Sequence, residues 1–121
     1  GNCNKCVESC PNGAIVADGV IDCRKCISYQ TIENKRSIPS NINLGGYVYG
    51  CDICLNACIW NNKAERCNNE DFLPTEEMKN LLRKIKTQNL EKSDFNKAKK
   101  TSPIERIKFE KLIDNLNFSN R

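Results

Sequence analysis

The chain has 121 residues, nine cysteines, no histidine and a formal net charge of +4. That length allows one domain, or one domain with a tail. It carries no apolar run long enough to cross a membrane and no signal peptide. An odd number of cysteines fits a complete disulfide framework poorly and fits metal binding in a reduced, cytoplasmic setting better.

The charge is uneven. Residues 1–60 carry five basic and five acidic groups, whereas residues 61–121 carry fourteen basic and ten acidic ones. The excess in the second half reads either as a footprint for a polyanion or as a solvated helical face. A first residue of Gly in place of Met points to a cut piece with a segment upstream.

In chain order, the first feature is Cys3-x2-Cys6-x3-Cys10-Pro11, closed by the turn Pro11-Asn12-Gly13. Ala14-Ile15-Val16 and Val20-Ile21 flank Asp18-Gly19, which predicts a small hairpin. Asp22 is a candidate N-cap for a helix over 24–33, with Ile27 and Ile32 facing inward. Lys35 to Ser40 reads as a loop, and Ser40 as the start of a short helical turn through Leu44. Gly45-Gly46 and Tyr47-Val48-Tyr49-Gly50 lead into Cys51-x2-Cys54-x3-Cys58, which is expected to be a helical turn continuing to Trp60-Asn61. This second cysteine run is the only internal repeat.

From Asn62 the composition turns polar, and Cys67 stands alone. Thr75 predicts an N-cap, with Glu76 and Glu77 favourably placed in the first turn. Met78, Leu81, Leu82 and Ile85 follow at helical spacing. Ser93 predicts a cap for a short helix with Phe95 and Ala98. Ser102-Pro103-Ile104-Glu105 has the form of a capping box with proline at the first helical position. Ile104, Ile107, Leu112, Ile113 and Leu116 then make one apolar face, read as packing surface. The fold class expected is α+β and mostly helical. A ferredoxin-like two-cluster domain with a small hairpin spans 1–61, and a helical extension spans 62–121.

A cubane iron–sulfur cluster takes about four thiolates. Cysteine ligands without histidine suit such clusters or an all-cysteine zinc site. Zinc knuckles usually lack the third cysteine and the proline after it. In bacterial ferredoxins the run is C-x2-C-x2-C-x3-C-P, and its last cysteine ligates the other cluster. The first run matches the last three cysteines of that pattern, so a fourth ligand is expected immediately before Gly1. By the same crossover, Cys3, Cys6 and Cys58 belong to the first cluster. Cys51, Cys54 and Cys10 belong to the second, whose fourth ligand is Cys23 or Cys26 by spacing. Cys67 is read as a spare thiol. With three thiolates in this chain, the first cluster is expected to be the more labile.

The residues Cys26-Ile27-Ser28-Tyr29-Gln30-Thr31-Ile32-Glu33 resemble a Cys-Ile-Ser-Tyr-Leu-Thr-Ile-Glu segment of the epoxyqueuosine reductases. Ile38-Pro39, Tyr49-Gly50-Cys51-Asp52-Ile53-Cys54 and Cys58-Ile59-Trp60-Asn61 follow in the same order as in that family. Phe72-Leu73-Pro74 and Ser102-Pro103-Ile104-Glu105-Arg106-Ile107-Lys108 resemble its later region. Ile59 stands where the family usually has proline, which is expected to loosen the turn without removing a ligand. The resemblance implies reduction of an epoxide on tRNA-borne epoxyqueuosine, with two 4Fe-4S clusters passing electrons to a cobalamin. It implies a separate N-terminal cobalamin domain outside this chain, and a chain inactive by itself. It places Cys26, not Cys23, in the second cluster.

On this reading Ser28 and Tyr29 line the side facing the cobalamin, or else simply cap and pack. Lys35, Arg36, Arg106 and Lys108 contact tRNA phosphates, or else are plain solvated charge. A small protein electron donor, no membrane partner and a monomeric state complete the expectation. Two other readings remain: a ferredoxin-type module of another oxidoreductase, such as a reductive dehalogenase-like enzyme, and a structural zinc domain binding nucleic acid.

Overall fold

The computed structural model describes residues 2–121. These divide into two compact units, one of residues up to Glu65 together with Glu110–Arg121, the other Arg66–Phe109. The C-terminal residues therefore return to the cysteine-bearing unit, a grouping different from the 1–61 and 62–121 division drawn from the sequence.

In the first unit, α1 (Lys5–Ser9) lies inside the first cysteine run and α2 (Ile53–Asn56) inside the second. The two helices pack on each other. Between them in sequence, β1 (Ile15–Ala17) and β2 (Val20–Ile21) form the expected antiparallel hairpin, pairing Ile15 with Ile21 and Ala17 with Val20. Gly19 takes φ +70° in the loop, a conformation open to glycine and strained for most other residues.

The helix expected over 24–33 is divided. Asp22 does cap, accepting the Arg24 N–H at 3.2 Å, but it starts a single 3₁₀ turn over Cys23–Lys25. Cys26 then leaves the helix with ψ 125°, and a π-helical turn follows over Tyr29–Glu33. Such turns are rare and concentrate at functional sites. Gln30, Thr31 and Ile32 are buried there. Ser40 opens a turn and not a helix, with the Ile42 N–H bonded to the Pro39 carbonyl at 3.1 Å. Ile27, Ile42 and Leu44 form the core, with Ile38, Tyr47, Cys51, Ile53 and Phe118 against it.

In the second unit, α3 (Glu76–Lys86) begins as expected, Thr75 accepting the Met78 N–H at 3.3 Å. Leu81 is fully buried, whereas Leu82, expected inward, is exposed. α4 (Lys92–Ala98) packs against α3 and is capped by Glu91, not Ser93, whose hydroxyl bonds the Glu91 carboxylate instead. The buried Asp94 ties the two helices together: it accepts the Lys84 ammonium at 2.8 Å and the Glu91 N–H at 3.3 Å.

The helix expected from Ser102 is also interrupted. Ser102 caps only a 3₁₀ turn, Pro103–Arg106, by accepting the Ile104 N–H at 3.4 Å. Ile107 is extended at φ −116°, ψ 162°, and α5 (Phe109–Ser119) starts after it. Among the described residues, no helix is long and apolar enough to cross a membrane.

Candidate metal centre

The two cysteine runs fold alike at their entry. Asn4 and Asp52, each following the first cysteine of its run, hold φ/ψ of −119°/15° and −118°/15°. The Glu8 N–H bonds the Asn4 carbonyl at 3.0 Å, and the Asn56 N–H bonds the Asp52 carbonyl at 2.8 Å. The third cysteines match too: Cys10 N–H to the Val7 carbonyl at 3.3 Å, and Cys58 N–H to the Leu55 carbonyl at 3.1 Å. The first cysteine of each pair precedes the N-cap and the second lies in the first turn of the helix.

Cys51 is the focus of the second set. It packs on the apolar core beside Ile53, and this burial pushes its thiol pKa up. The Ile53 backbone N–H pulls in the opposite direction, and the neighbouring thiols of Cys54, Cys26 and Cys10 each add to the rise. The thiolate charges acting on Cys51 thus come from its own run, from the residue that ends the 3₁₀ turn and from the other run. The crossover assignment names Cys51, Cys54 and Cys10 for one cluster, with Cys23 or Cys26 as its fourth ligand. Cys23, the first residue of its 3₁₀ turn, is exposed, whereas Cys26 is half-buried.

Thiolates on cluster irons are tuned by backbone N–H groups aimed at sulfur. Two are present here: the Ile53 N–H toward Cys51, and the Ala14 N–H, 3.3 Å from the Cys10 sulfur. Among the described residues, no three His, Cys, Asp or Glu side chains meet closely enough to hold a metal ion. A cubane asks for a wider set, since each thiolate binds a different iron. The soft, all-sulfur donors with N–H groups directed at them fit that group.

The frame around this set has a tie that the sequence did not reveal. The Thr31 hydroxyl donates to the Ile27 carbonyl at 2.9 Å and accepts the Gly50 N–H at 3.0 Å. Ile27 follows Cys26 and Gly50 precedes Cys51. Asn115 of α5, fully buried, donates to the Thr31 and Val48 carbonyls, both at 2.9 Å. A polar residue on the inward stripe between Leu112 and Leu116 was the available signal.

The remaining candidates are dispersed. Cys3 is exposed, while Cys6 and Cys58 are half-buried. Cys67 is exposed and belongs to the second unit. Ser28 and Tyr29 are half-buried at the head of the π-turn. Lys35 and Arg36 are exposed in the first unit, and Arg106 and Lys108 are exposed in the second. Lys111 of α5 joins Lys35: burial lowers the Lys111 pKa most, Asp114 opposes that, and the Lys35 charge lowers it further.

Comparison with known proteins matches the model of the 4Fe-4S double cluster binding domain to residues 1–61. The chain belongs to that family. It is similar to an epoxyqueuosine reductase of Cyclobacterium marinum, 40% identical over 98% of this chain and 37% of that protein. An epoxyqueuosine reductase of Synechocystis is 42% identical over 89% of this chain and 38% of its own length. One of Aliivibrio fischeri is 49% identical over 60% of this chain and 20% of its own. The chain thus spans between a fifth and two fifths of these relatives. No solved structure matches it. The family match gives the chain a double 4Fe-4S cluster binding domain over residues 1–61.

Proposed function

We propose that this chain is the electron-relay part of an epoxyqueuosine reductase acting on tRNA. The observation that carries the reading is that the two matching cysteine turns pack on each other while the Thr31 hydroxyl joins the backbone beside Cys26 to the backbone beside Cys51, which brings three separate stretches of cysteine-bearing chain together. Cys51, Cys54, Cys26 and Cys10 hold the second 4Fe-4S cluster. Cys3, Cys6 and Cys58 are assigned to the first cluster. When bound, the clusters supply single-electron transfer. The chain's own part is to orient the thiolates, to aim N–H groups at their sulfurs, and to bury Cys51 against Ile27, Ile42 and Leu44.

Ser28 and Tyr29 sit beside Cys26 and are assigned to the face turned toward the cobalamin held by the rest of the enzyme. Their half-burial next to a ligand supports this. Lys35, Arg36, Arg106 and Lys108 are assigned to tRNA phosphates, with Lys111 added beside Lys35. Such contacts act through charge, so neutralising them should reduce the salt dependence of tRNA binding. A small protein donor, a monomeric state and a cytoplasmic location accompany this reading.

The experiment is anaerobic iron and sulfide loading of the full-length protein, followed by epoxyqueuosine–tRNA turnover with cobalamin and a chemical one-electron reductant supplied. A brown protein with about eight irons that converts the epoxide supports the proposal. A colourless protein that takes up zinc overturns it. A brown protein that leaves the epoxide untouched points instead to a ferredoxin module of another oxidoreductase.

A further inference from the structure

The mechanism leaves one fully buried polar pair unused, Thr31 and Asn115, both 0% exposed. Their bonds are directional and connect two segments far apart in sequence. The Thr31 hydroxyl bridges the Ile27 carbonyl and the Gly50 N–H, the backbone groups adjoining Cys26 and Cys51. Asn115 extends the same bridge, with both N–H bonds of its carboxamide donated to the Thr31 and Val48 carbonyls. Two carbonyl partners fix the orientation of the amide, since only its nitrogen can serve them.

The cost of this arrangement is visible. The Asn115 Oδ1 is buried without a hydrogen-bond partner. An apolar residue there would avoid that penalty, because an unsatisfied buried acceptor is unfavourable. Leu112, on the same buried face one turn earlier, shows that the helix accommodates an apolar side chain inward. The benefit therefore lies in the two donated bonds, which tie a π-helical turn to an irregular loop where no regular ladder holds them. Gly50 itself takes φ +69°, so its N–H is aimed by a backbone conformation that must be held in place.

We infer that Asn115, acting through Thr31, is the positioning residue of the second ligand set: it fixes the separation of Cys26 and Cys51. It touches neither thiol. The inference rests on the proposed function for its purpose, but not for its geometry, which concerns this chain's own thiols.

The test uses full-length protein freed of metal and a bifunctional thiol reagent, dibromobimane, with peptide mapping of the bridged pairs. Variants are Asn115→Leu, Asn115→Asp, which matches the shape but loses the amide donor, and Leu112→Ala, a packing control on the same helix. Thr31→Val and Thr31→Ser supply a milder pair, in which only serine keeps the hydroxyl. The expected result is a roughly ten-fold loss of the Cys26–Cys51 bridge in Asn115→Leu and Asn115→Asp, as for any buried pair of bonds broken at one end. The Cys51–Cys54 bridge should keep its yield, and Thr31→Ser should retain what Thr31→Val loses.

An unchanged Cys26–Cys51 yield in Asn115→Leu overturns the inference, as does an equal loss in Leu112→Ala. If Asn115→Leu does not fold, the Thr31 pair decides: equal yields in serine and valine overturn it. After iron and sulfide loading, Asn115→Leu, Asn115→Asp and Thr31→Val should lose about four of eight irons, while Leu112→Ala and Thr31→Ser should keep them. A protein that takes up no iron at all defeats the proposed function, while the cross-linking result still decides the role of Asn115.

Discussion

The two cysteine runs enter alike and leave differently. Each begins with the same backbone at Asn4 or Asp52 and the same hydrogen bonds at its first turn. After Cys10, Pro11 closes the run, the Gly13 N–H bonds the Cys10 carbonyl at 3.1 Å, and the chain turns into the hairpin. Asn12 then exchanges two bonds with the Asn43 backbone, both 2.8 Å, fastening this exit to the middle of the chain. After Cys58 there is no proline. The Asn62 N–H reaches back to the Cys58 carbonyl at 3.2 Å, a 3₁₀ turn follows over Asn61–Lys63, and Trp60 is 72% exposed. The helical turn expected to run through Trp60 is broken at Cys58. Ligation needs only the shared entry turn, so the exits are free to serve packing on one side and an open surface on the other.

The largest effect that would separate the runs is removal of a central ligand. Cys51→Ser should abolish the second cluster and cost about four irons, read by iron and sulfide analysis, while Cys67→Ser should cost none. A next step strikes the frame of the second run alone. Thr31→Val leaves the half-buried Gly50 N–H without its acceptor and should lower stability by roughly 1 kcal/mol, measured by chemical denaturation. Loss of the first cluster's spectrum in that variant, with the second preserved, would break the distinction between the runs.

Acid separates both runs from the helical hairpin of the second unit. The Lys84 ammonium, above all, holds the Asp94 carboxyl below its ordinary value of 3.8, against the opposing effect of burial. That contribution to stability is complete above the ordinary value and is lost as pH falls through the lower folded one. Melting of cluster-free protein followed across that range should show the loss, and Asp94→Asn should flatten it. The smallest effect is expected at the exit of the second run. Ile59→Pro should stabilise by roughly 0.4–1 kcal/mol if that turn accepts proline as the first exit does. A clear drop in melting temperature would show the two exits to be different in kind.

Much of the first unit could be read along the chain because its signals are local. Asp18-Gly19 between β-branched residues predicted the hairpin, and the C-x2-C spacing predicted the thiol pairs. The choice between Cys23 and Cys26 was not available from spacing. It depends on where a π-helical turn leaves the chain, and that turn is held by Thr31, Gly50 and Asn115, residues distant in sequence. Ser102 was a true start signal, but it caps a 3₁₀ turn without the reciprocal Glu105 bond of a capping box, and that turn ends at the extended backbone of Ile107. Ser40 and Ser93 likewise have cap chemistry, but neighbouring groups, Pro39 and Glu91, take the bonds. The regrouping of residues 110–121 with the cysteine-bearing unit follows from Phe118 and Asn115, whose partners lie among residues 27–48.

The most direct measurement is a count of iron and sulfide, with EPR of the reduced clusters, on full-length Cys26→Ser and Cys23→Ser proteins loaded side by side. Cys26→Ser should lose about four irons and the signal of one 4Fe-4S cluster, and Cys23→Ser should match the unaltered protein. The reverse pattern would contradict a ligand set built on Cys10, Cys26, Cys51 and Cys54.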